Sequence, residues 1–345
     1  MKNTNNILRT FFLLVFAMAT GFAAYSQKES TNKVMASASV SDDTVWQNPN
    51  VYTIENTQPG TTATETTAVS SDTKQKEEIP KKYKDKKTVK TPFKSIWLVD
   101  NQTTTVPIKN SMEMDIQHRF GTFLNGWKDF IGIYASSNIR IGVQYTPMND
   151  LMVGFGFTKE KLQMDFNAKY AIVKQKKGGM PINITFFGNI VVDTRSKSNF
   201  RNGSDRLSYF SQLIFSSRIC EYFALQVAPS ISWYNNVEAY VNSHGEIVPL
   251  MRNEHFALSM MGRVKVNTKL AITIGYDQPL TKHLHNNPDP NLSLGLEMTT
   301  SGHSFQVFIQ NYHGIVPQSS NMFNNNNYRK GEFLIGFNIT RLWNM

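Results

Sequence analysis

The chain has 345 residues, of which 18% are charged, with a formal net charge of +10 and one cysteine. A single cysteine excludes an intramolecular disulfide, so the fold needs other stabilising contacts. This residue, Cys220, is expected to be half buried at a strand end, with a reactive free thiol as the alternative. Beyond the N-terminal segment, no stretch reaches the roughly 18 apolar residues of a membrane helix, which excludes a helical membrane protein.

The N-terminal segment has the features of a secretory signal peptide. Basic residues precede an apolar run, Phe11–Ala19, and the small residues Ala24 and Ser26 follow it. Small residues at these two positions favour cleavage after Ser26. We therefore predict Sec-type export of the chain and removal of residues 1–26.

Residues 27–100 are rich in Thr, Ser, Lys and Glu and poor in apolar residues. Such a segment cannot bury enough apolar surface to offset the entropy lost on ordering, so we predict a disordered periplasmic leader. Its second half is basic, with lysines at Lys74, Lys76, Lys81, Lys82, Lys84, Lys86, Lys87, Lys90 and Lys94. Contact with anionic lipid or cell-wall polymers is one interpretation of these lysines, and a solvated tether is the other. A nucleic-acid partner is not expected outside the cytoplasm.

Over the rest of the chain, apolar and polar residues alternate in successive runs. In the first run Met112 and Met114 fall on one face, and Glu113 and Asp115 fall on the other. A period of two is typical of strands with one apolar and one polar face. The runs lie near residues 111–120, 137–146, 150–158, 162–173, 180–192, 206–219, 222–234, 254–266, 268–277, 291–299, 303–312 and 331–341. We predict an all-β fold for residues 101–345, an antiparallel up-and-down transmembrane β-barrel of about twelve strands.

The connections between the runs differ in length. Those after the second, fourth, sixth, eighth and tenth runs are short, and those after the first, fifth, seventh, ninth and eleventh are long. Only the third, Lys159–Lys161, is short where a long connection is allowed. Short turns at one rim and long loops at the other are typical of outer-membrane barrels, with the short turns in the periplasm. An even number of strands also predicts that the leader and the C-terminus share the periplasmic side.

The two faces of the predicted strands differ in charge. The apolar rows, which include Met164, Phe166 and Tyr170, carry no charged residue over the thickness of a bilayer, as lipid contact requires. The candidate lumen-lining residues on the opposite face are Glu113, Asp115, Arg119, Arg140, Asp165, Lys169, Arg218, Arg263, Lys265, Lys269, Glu297 and Glu332. These residues either pair across a narrow lumen and fill it, or line a small water path. Their slight excess of basic groups would favour anions in an open lumen.

Few residues suggest catalysis or metal binding. His283, His285 and Asp289 lie in one long connection, but two loop histidines without a third fixed ligand are more often solvated. His303 and Ser304 are adjacent in a strand, so their side chains point to opposite faces and cannot act as a base and a nucleophile. We therefore expect no enzyme activity, no cofactor and no metal.

Several motifs in the first strands resemble a known family. They are Ile116-Gln117-His118-Arg119-Phe120-Gly121, Asn125-Gly126-Trp127, Asp129-Phe130, Ile139-Arg140-Ile141-Gly142 and Gly154-Phe155-Gly156. From Lys94 onward the chain resembles an uncharacterised β-barrel family of Gram-negative bacterial outer membranes. The resemblance implies a barrel and an outer-membrane location, and it implies no catalytic or ligand residue. The chain departs from most such barrels by ending in Met345, which leaves Trp343 as the aromatic residue that the barrel assembly machinery would recognise.

The leading interpretation is an integral outer-membrane barrel surrounded by lipid, either a narrow porin-like channel or a structural protein. The alternative is a secreted or periplasmic soluble β-barrel that binds an apolar ligand, and it requires the apolar face to point inward. A lipid-degrading enzyme would need a nucleophile and a base on one lipid-facing row, and the sequence offers no such pair.

Overall fold

The computed structural model describes residues 91–345, and the predicted signal peptide and most of the predicted leader lie outside this range. The strands are β1 Trp97–Leu98, β2 Asn101–Gln102, β3 Ser111–Thr122, β4 Asn138–Met148, β5 Leu151–Thr158, β6 Gln163–Val173, β7 Asn183–Asp193, β8 Leu207–Arg218, β9 Phe223–Tyr234, β10 Ala239–Val241, β11 Ile247–Pro249, β12 Glu254–Lys265, β13 Leu270–Pro279, β14 Asn291–Thr299, β15 His303–Gln310 and β16 Leu334–Asn344. The α-helix α1 comprises Pro317–Met322, and short 3-10 helices comprise Phe123–Asp129, Glu160–Leu162, Lys197–Asn199, Gly203–Arg206 and Tyr328–Lys330. Within residues 91–345, no helix is long and apolar enough to cross a membrane.

Twelve of the strands form one closed antiparallel barrel. Strands β3 to β9 follow one another in the sheet, as do β12 to β16, and β9 pairs with β12. The barrel closes where β16 pairs with β3. The β10–β11 hairpin forms a separate sheet within the β9–β12 connection. The prediction of an all-β antiparallel barrel of about twelve strands is therefore confirmed, and the number is twelve.

The short connections lie at the rim that holds both ends of the barrel sequence. Asn110, just before β3, donates its main-chain N–H to Thr146 near the β4–β5 turn, and its carbonyl accepts from Met345 at the C-terminus. We call this end of the barrel the short-connection rim and the opposite end the long-connection rim. The long connections are partly structured, because they contain β10, β11, α1 and most of the 3-10 helices.

Burial alternates along the barrel strands with the predicted period. In β6, Asp165 and Lys169 face the interior and are buried, whereas Phe166 and Tyr170 face outward and are 51% and 49% exposed. Similar half-exposed apolar side chains cover the outside of the other barrel strands. The soluble-barrel alternative required the apolar rows to line the interior, and this orientation is wrong because those rows form the outer surface.

Residues 93–100 correct the predicted boundary between leader and barrel. They belong to the predicted leader of residues 27–100, but Phe93, Ile96, Trp97, Leu98 and Val99 are buried, each at most 1% exposed. Their composition explains the burial, because a dense group of large apolar residues releases much more free energy on burial than the Thr- and Lys-rich sequence before it. The sequence did not predict this burial, because the composition of residues 27–100 taken together is dominated by Thr, Ser, Lys and Glu.

Candidate functional site

The chain itself occupies the interior of the barrel. Residues 93–105, which we call the lumen segment, contain the β1–β2 hairpin. Thr91, just before the segment, lies beside the β8–β9 turn at the short-connection rim. The chain returns to Asn110 at the same rim, while the tip residue Asp100 pairs with Arg119 near the far end of β3. The segment therefore enters and leaves the barrel through one opening.

Apolar side chains of the lumen segment form a small core with the barrel wall. Leu98 packs with Met261 and Phe308. The ring of Trp97 meets the edge of Phe187 with 6.5 Å between the ring centroids. Burial of a side chain of this size contributes about 1.5–3 kcal/mol. The middle of the barrel is thus packed rather than water-filled.

Two glutamines of the wall hold the main chain of the lumen segment. Gln306 Oε1 accepts from the Val99 N–H at 3.0 Å, and Gln306 Nε2 donates to the Trp97 carbonyl at 2.8 Å. From β9, Gln226 Nε2 donates to the Gln102 carbonyl at 2.8 Å. Because unpaired main-chain groups are costly inside a protein, these bonds allow a short hairpin to be buried.

Charged wall residues hold the side chains of the segment. Lys169 Nζ donates to Gln102 Oε1 at 2.7 Å and to the Thr103 carbonyl at 3.2 Å. Asn101 Nδ2 donates to Asp277 Oδ1 at 3.1 Å. Together with the ion pair at Asp100, these contacts tie β2 and the tip of the hairpin to the wall.

Arg140 is the centre of a buried ion network in the wall. Its Nε and Nη2 donate to the two carboxylate oxygens of Asp165, both at 2.8 Å, and Nη1 donates to Asp115 Oδ2 at 2.6 Å. Gln144 Nε2 also donates to Asp115, at 2.8 Å. The Arg140 guanidinium lies 5.3 Å from the ring centroid of Trp97, so the network also contacts the lumen segment. This bidentate geometry is the strongest arrangement of an arginine with carboxylates.

Inward-facing glycines make room for these groups. Gly142 lies opposite both Asp115 and Gly156 in the sheet. A Cβ atom at Gly142 would lie 2.6 Å from Arg140 Nη1, and one at Gly156 would lie 2.4 Å from Arg140 Nη2. The two glycines therefore let the guanidinium lie flat along the wall, and a side chain at either position would displace it.

The helix α1 covers the interior near the long-connection rim. All residues of α1 are buried, and α1 packs against β8, β9, β12 and β13. Tyr234 and Ser319 share a hydrogen bond of 3.0 Å between their hydroxyls, and Asn291 Nδ2 donates to the Ser320 carbonyl at 3.1 Å. The lumen is thus filled from one rim by the lumen segment and covered toward the other by α1.

The structure divides the twelve candidate lumen-lining residues into two groups. Those buried inside the barrel are Glu113, Asp115, Arg119, Arg140, Asp165, Lys169, Arg263 and Glu297. The other four differ: Arg218 and Lys265 are partly exposed at the short-connection rim, Lys269 is exposed in the β12–β13 turn, and Glu332 lies in the connection before β16. Lys269 and Glu332 therefore lie outside the strands predicted for them, because β13 begins at Leu270 and β16 begins at Leu334.

Sequence reasoning missed Gln226 and Gln306. Both lie on the inward face of their strands, so the period-two pattern places them correctly. Their role could not be read because their partner, the lumen segment, was assigned to the leader.

Of the two loop histidines, His283 pairs with His255 of β12 and not with His285. His283 Nδ1 accepts from the main-chain N–H of Arg252 at 3.0 Å, which places the proton of neutral His283 on Nε2. That atom lies 3.0 Å from His255 Nδ1 and donates to it. His285 is exposed. Among the residues that the structure describes, no group of three or more His, Cys, Asp or Glu residues could hold a metal ion.

Cys220 is exposed, in contrast to the half-buried position expected.

We predict that acid loosens the loop around His283. Burial lowers the pKa of His283 from its usual value of 6.5, Arg252 lowers it further, and Glu254 opposes this effect. As the pH falls below the usual value, the unfolded loop takes up a proton before the folded loop does, so the folded arrangement loses stability. Trypsin should therefore cleave after exposed Lys282 severalfold faster at about pH 5.5 than at about pH 7.5, relative to a peptide substrate.

His283→Gln is the matched control for this prediction. Its side-chain amide does not titrate, so cleavage at Lys282 should depend no more on pH than cleavage of the peptide does. Equal pH dependence in the two proteins would show that another group controls the loop.

A closed antiparallel barrel with apolar rows outside and a polar, charged interior defines a membrane β-barrel. The chain matches the family model described as "Membrane bound beta barrel domain (DUF5777)" over residues 93–343. The chain belongs to this family, and the match includes the lumen segment. The resemblance to an uncharacterised barrel family is therefore confirmed.

Solved structures of other barrels show weaker similarity. The NanC porin is 8% identical with a TM-score of 0.42, and the alignment covers 68% of this chain and 99% of that one. An outer membrane channel from Pseudomonas putida F1 is 11% identical with a TM-score of 0.43, covering 69% and 97%. The toluene transporter TodX of Pseudomonas putida is 8% identical with a TM-score of 0.32, covering 70% and 91%. No curated protein matches the chain. The assignment rests on the family match and on the barrel itself.

Proposed function

We propose that this protein is an outer-membrane barrel that forms a narrow channel, closed at rest by its own lumen segment and opened when that segment leaves. It reaches the outer membrane by Sec-type export and the barrel assembly machinery, and lipid surrounds its apolar rows. The protein performs no chemical step in this proposal. It controls passage through a polar lumen.

The observation that carries the proposal is that the wall alone does not fill the barrel. Trp97, Leu98 and Val99 of the lumen segment are buried in the middle of the barrel, where Leu98 packs with Met261 and Phe308 and Trp97 meets Phe187. The wall that contacts the segment is rich in polar groups. If the segment left, these groups would line a water-accessible path.

The path of the segment also favours reversible opening. Both of its ends lie at the short-connection rim, so it can withdraw without crossing the barrel and without breaking any pair of barrel strands. Much of its attachment consists of hydrogen bonds to single side chains, each contributing about 1 kcal/mol net. A protein with only a structural role has no need of a separately removable core.

The proposal is tested by cutting the chain after it has folded. A protease site inserted at exposed Lys109, between the lumen segment and β3, would separate the segment from the barrel. In planar bilayers we expect the uncut full chain to be silent, and we expect discrete conductance steps after cleavage and release of the N-terminal fragment. The same site placed at exposed Lys269 cuts another connection at the same rim and is the control.

Two outcomes would overturn the proposal. Conductance of the uncut chain at the same level as the cut chain would show that the segment does not close the lumen. A barrel that stays inserted and silent after the fragment has left would show that removal of the segment does not open the lumen, which α1 also covers.

A further inference from the structure

A cavity of about 520 Å³ lies at the short-connection rim, between the start of the lumen segment and strands β8, β9 and β12. Its volume falls within the range of about 300–1,000 Å³ that is usual for small-molecule sites. Exposed Cys220 lines it, so the cavity is reached from solvent. The lumen segment and α1 leave this space unfilled, and the mechanism of closure does not use it.

The charge of the cavity wall is positive. Four cationic residues line it, Lys94, Arg218, Arg263 and Lys265, against one carboxylate, Glu221. Glu221 accepts from Lys265 Nζ at 3.0 Å, and buried Glu297 accepts from Arg263 Nε at 2.5 Å. Two carboxylates therefore offset two of the four cations, and two positive charges remain in excess. Lys94 forms no ion pair with any residue in the range 91–345.

The cationic groups come from separate parts of the chain. Lys94 comes from the lumen segment, Arg218 from the end of β8, and Lys265 from the end of β12. Arg263 lies one inward position deeper on β12 and is largely buried. The cations therefore surround the cavity from opposite walls, which is the arrangement that an anion between them requires. Guanidinium groups suit phosphate because their N–H groups match two of its oxygens.

We propose that this cavity binds a small solute that carries a phosphate group. The volume exceeds that of a phosphate ion, so it accommodates a small organic part as well. The inference rests on the proposed function, because it makes the cavity the solute-binding mouth of the closed channel. It assigns phosphate-bearing solutes as the class of substrate that the channel selects.

The native cysteine makes the proposal testable in the unmodified full chain. The rate of Cys220 labelling is measured with two methanethiosulfonate reagents of similar size, the anionic sulfonatoethyl and the cationic trimethylammonium form. A positive cavity should make the anionic reagent react about tenfold faster relative to its rate with a free thiol, and high salt should reduce the ratio. Glycerol phosphate should protect Cys220, whereas glycerol at the same concentration should not.

Charge variants link the effect to the cavity. Lys94→Gln and Arg218→Gln should each lower the rate ratio and weaken protection by glycerol phosphate severalfold. Lys269→Gln removes an exposed lysine of the same rim that does not line the cavity, and it should leave both values unchanged. A rate ratio of one, an absence of protection, or equal effects of all three substitutions would overturn the proposal.

A further experiment with lipids identifies the source of the phosphate group. Labelling is repeated in nanodiscs of phosphatidylcholine with and without phosphatidylglycerol. Protection by the anionic lipid without protection by glycerol phosphate would overturn the assignment to a soluble solute. The cavity would then be a binding site for a lipid head group. Labelling is measured on the closed protein and needs no current. A negative labelling result therefore leaves the conductance test of the proposed function unaffected, and a negative conductance result leaves the labelling test unaffected.

Discussion

Replacing Arg140 with alanine is expected to lower the free energy of unfolding by about 3–5 kcal/mol, the loss typical of a broken buried ion pair. Asp115 and Asp165 are both buried and both use Arg140 as their cationic partner. Without the guanidinium, two carboxylates would remain close together in a region that water does not reach. Denaturant unfolding of the barrel in lipid vesicles, followed by the shift of the heat-resistant band on a gel, measures the loss.

Two further variants separate charge from packing. Lys174→Ala breaks the ion pair with Asp150, whose groups are 49% and 34% exposed, and should cost no more than about 1 kcal/mol. Arg140→Met combined with Asp115→Asn and Asp165→Asn removes the charges together and should recover most of the stability. If Arg140→Ala costs as little as Lys174→Ala, the network does not stabilise the barrel.

The strands of this barrel could be predicted because each of their residues faces either the outside or the interior. The sequence alone shows this for β6, where Phe166 and Tyr170 lie on one side and Asp165 and Lys169 lie on the other. The same rule placed eight of the twelve candidate charges inside. It failed for Lys269 and Glu332, which lie in connections where alternation has no structural meaning.

The partners of the inward charges could not be predicted. Asp115, Arg140 and Asp165 lie on β3, β4 and β6, and no spacing rule relates residues whose strand register is unknown. The glycines between them, Gly142 and Gly156, stood out in the sequence only as parts of the family motifs. Their function depends on lying opposite Asp115 and Asp165 in the sheet.

The lumen segment escaped prediction for a different reason. Trp97–Val99 is too short for a period to be measured, and it follows a long polar sequence. Its burial depends on a closed barrel that already has room for it, which is a property of the whole fold. The helix α1 is equally short, and its burial against β8 and β9 is also a tertiary effect.

Weakening the attachment of the lumen segment should open the proposed channel without cutting the chain. Gln226→Ala and Gln306→Ala together remove the three hydrogen bonds that these wall glutamines make to the main chain of Gln102, Trp97 and Val99. At about 1 kcal/mol for each bond, the closed state loses about 3 kcal/mol relative to the open one. A loss of this size raises the population of the open state about 100-fold.

Single-channel recording of the double variant should therefore show openings that are rare or absent in the native chain. Gln163→Ala is the matched control, because Gln163 is also a buried, inward-facing glutamine and makes no hydrogen bond to the lumen segment in residues 91–345. A second measurement reports the segment directly. Val99, which is 1% exposed, is changed to cysteine in a Cys220→Ser chain, and its labelling by a water-soluble thiol reagent is followed.

The two measurements together decide what opens the channel. Faster labelling at position 99 that rises with the opening probability shows that the segment leaves when current flows. Current without labelling would mean that the truncated glutamines opened a gap beside a segment that stays in place. A double variant as silent and as protected as the Gln163→Ala chain would show that the apolar contacts of Trp97 and Leu98 hold the segment, and that hydrogen bonds to the wall set its position rather than its release.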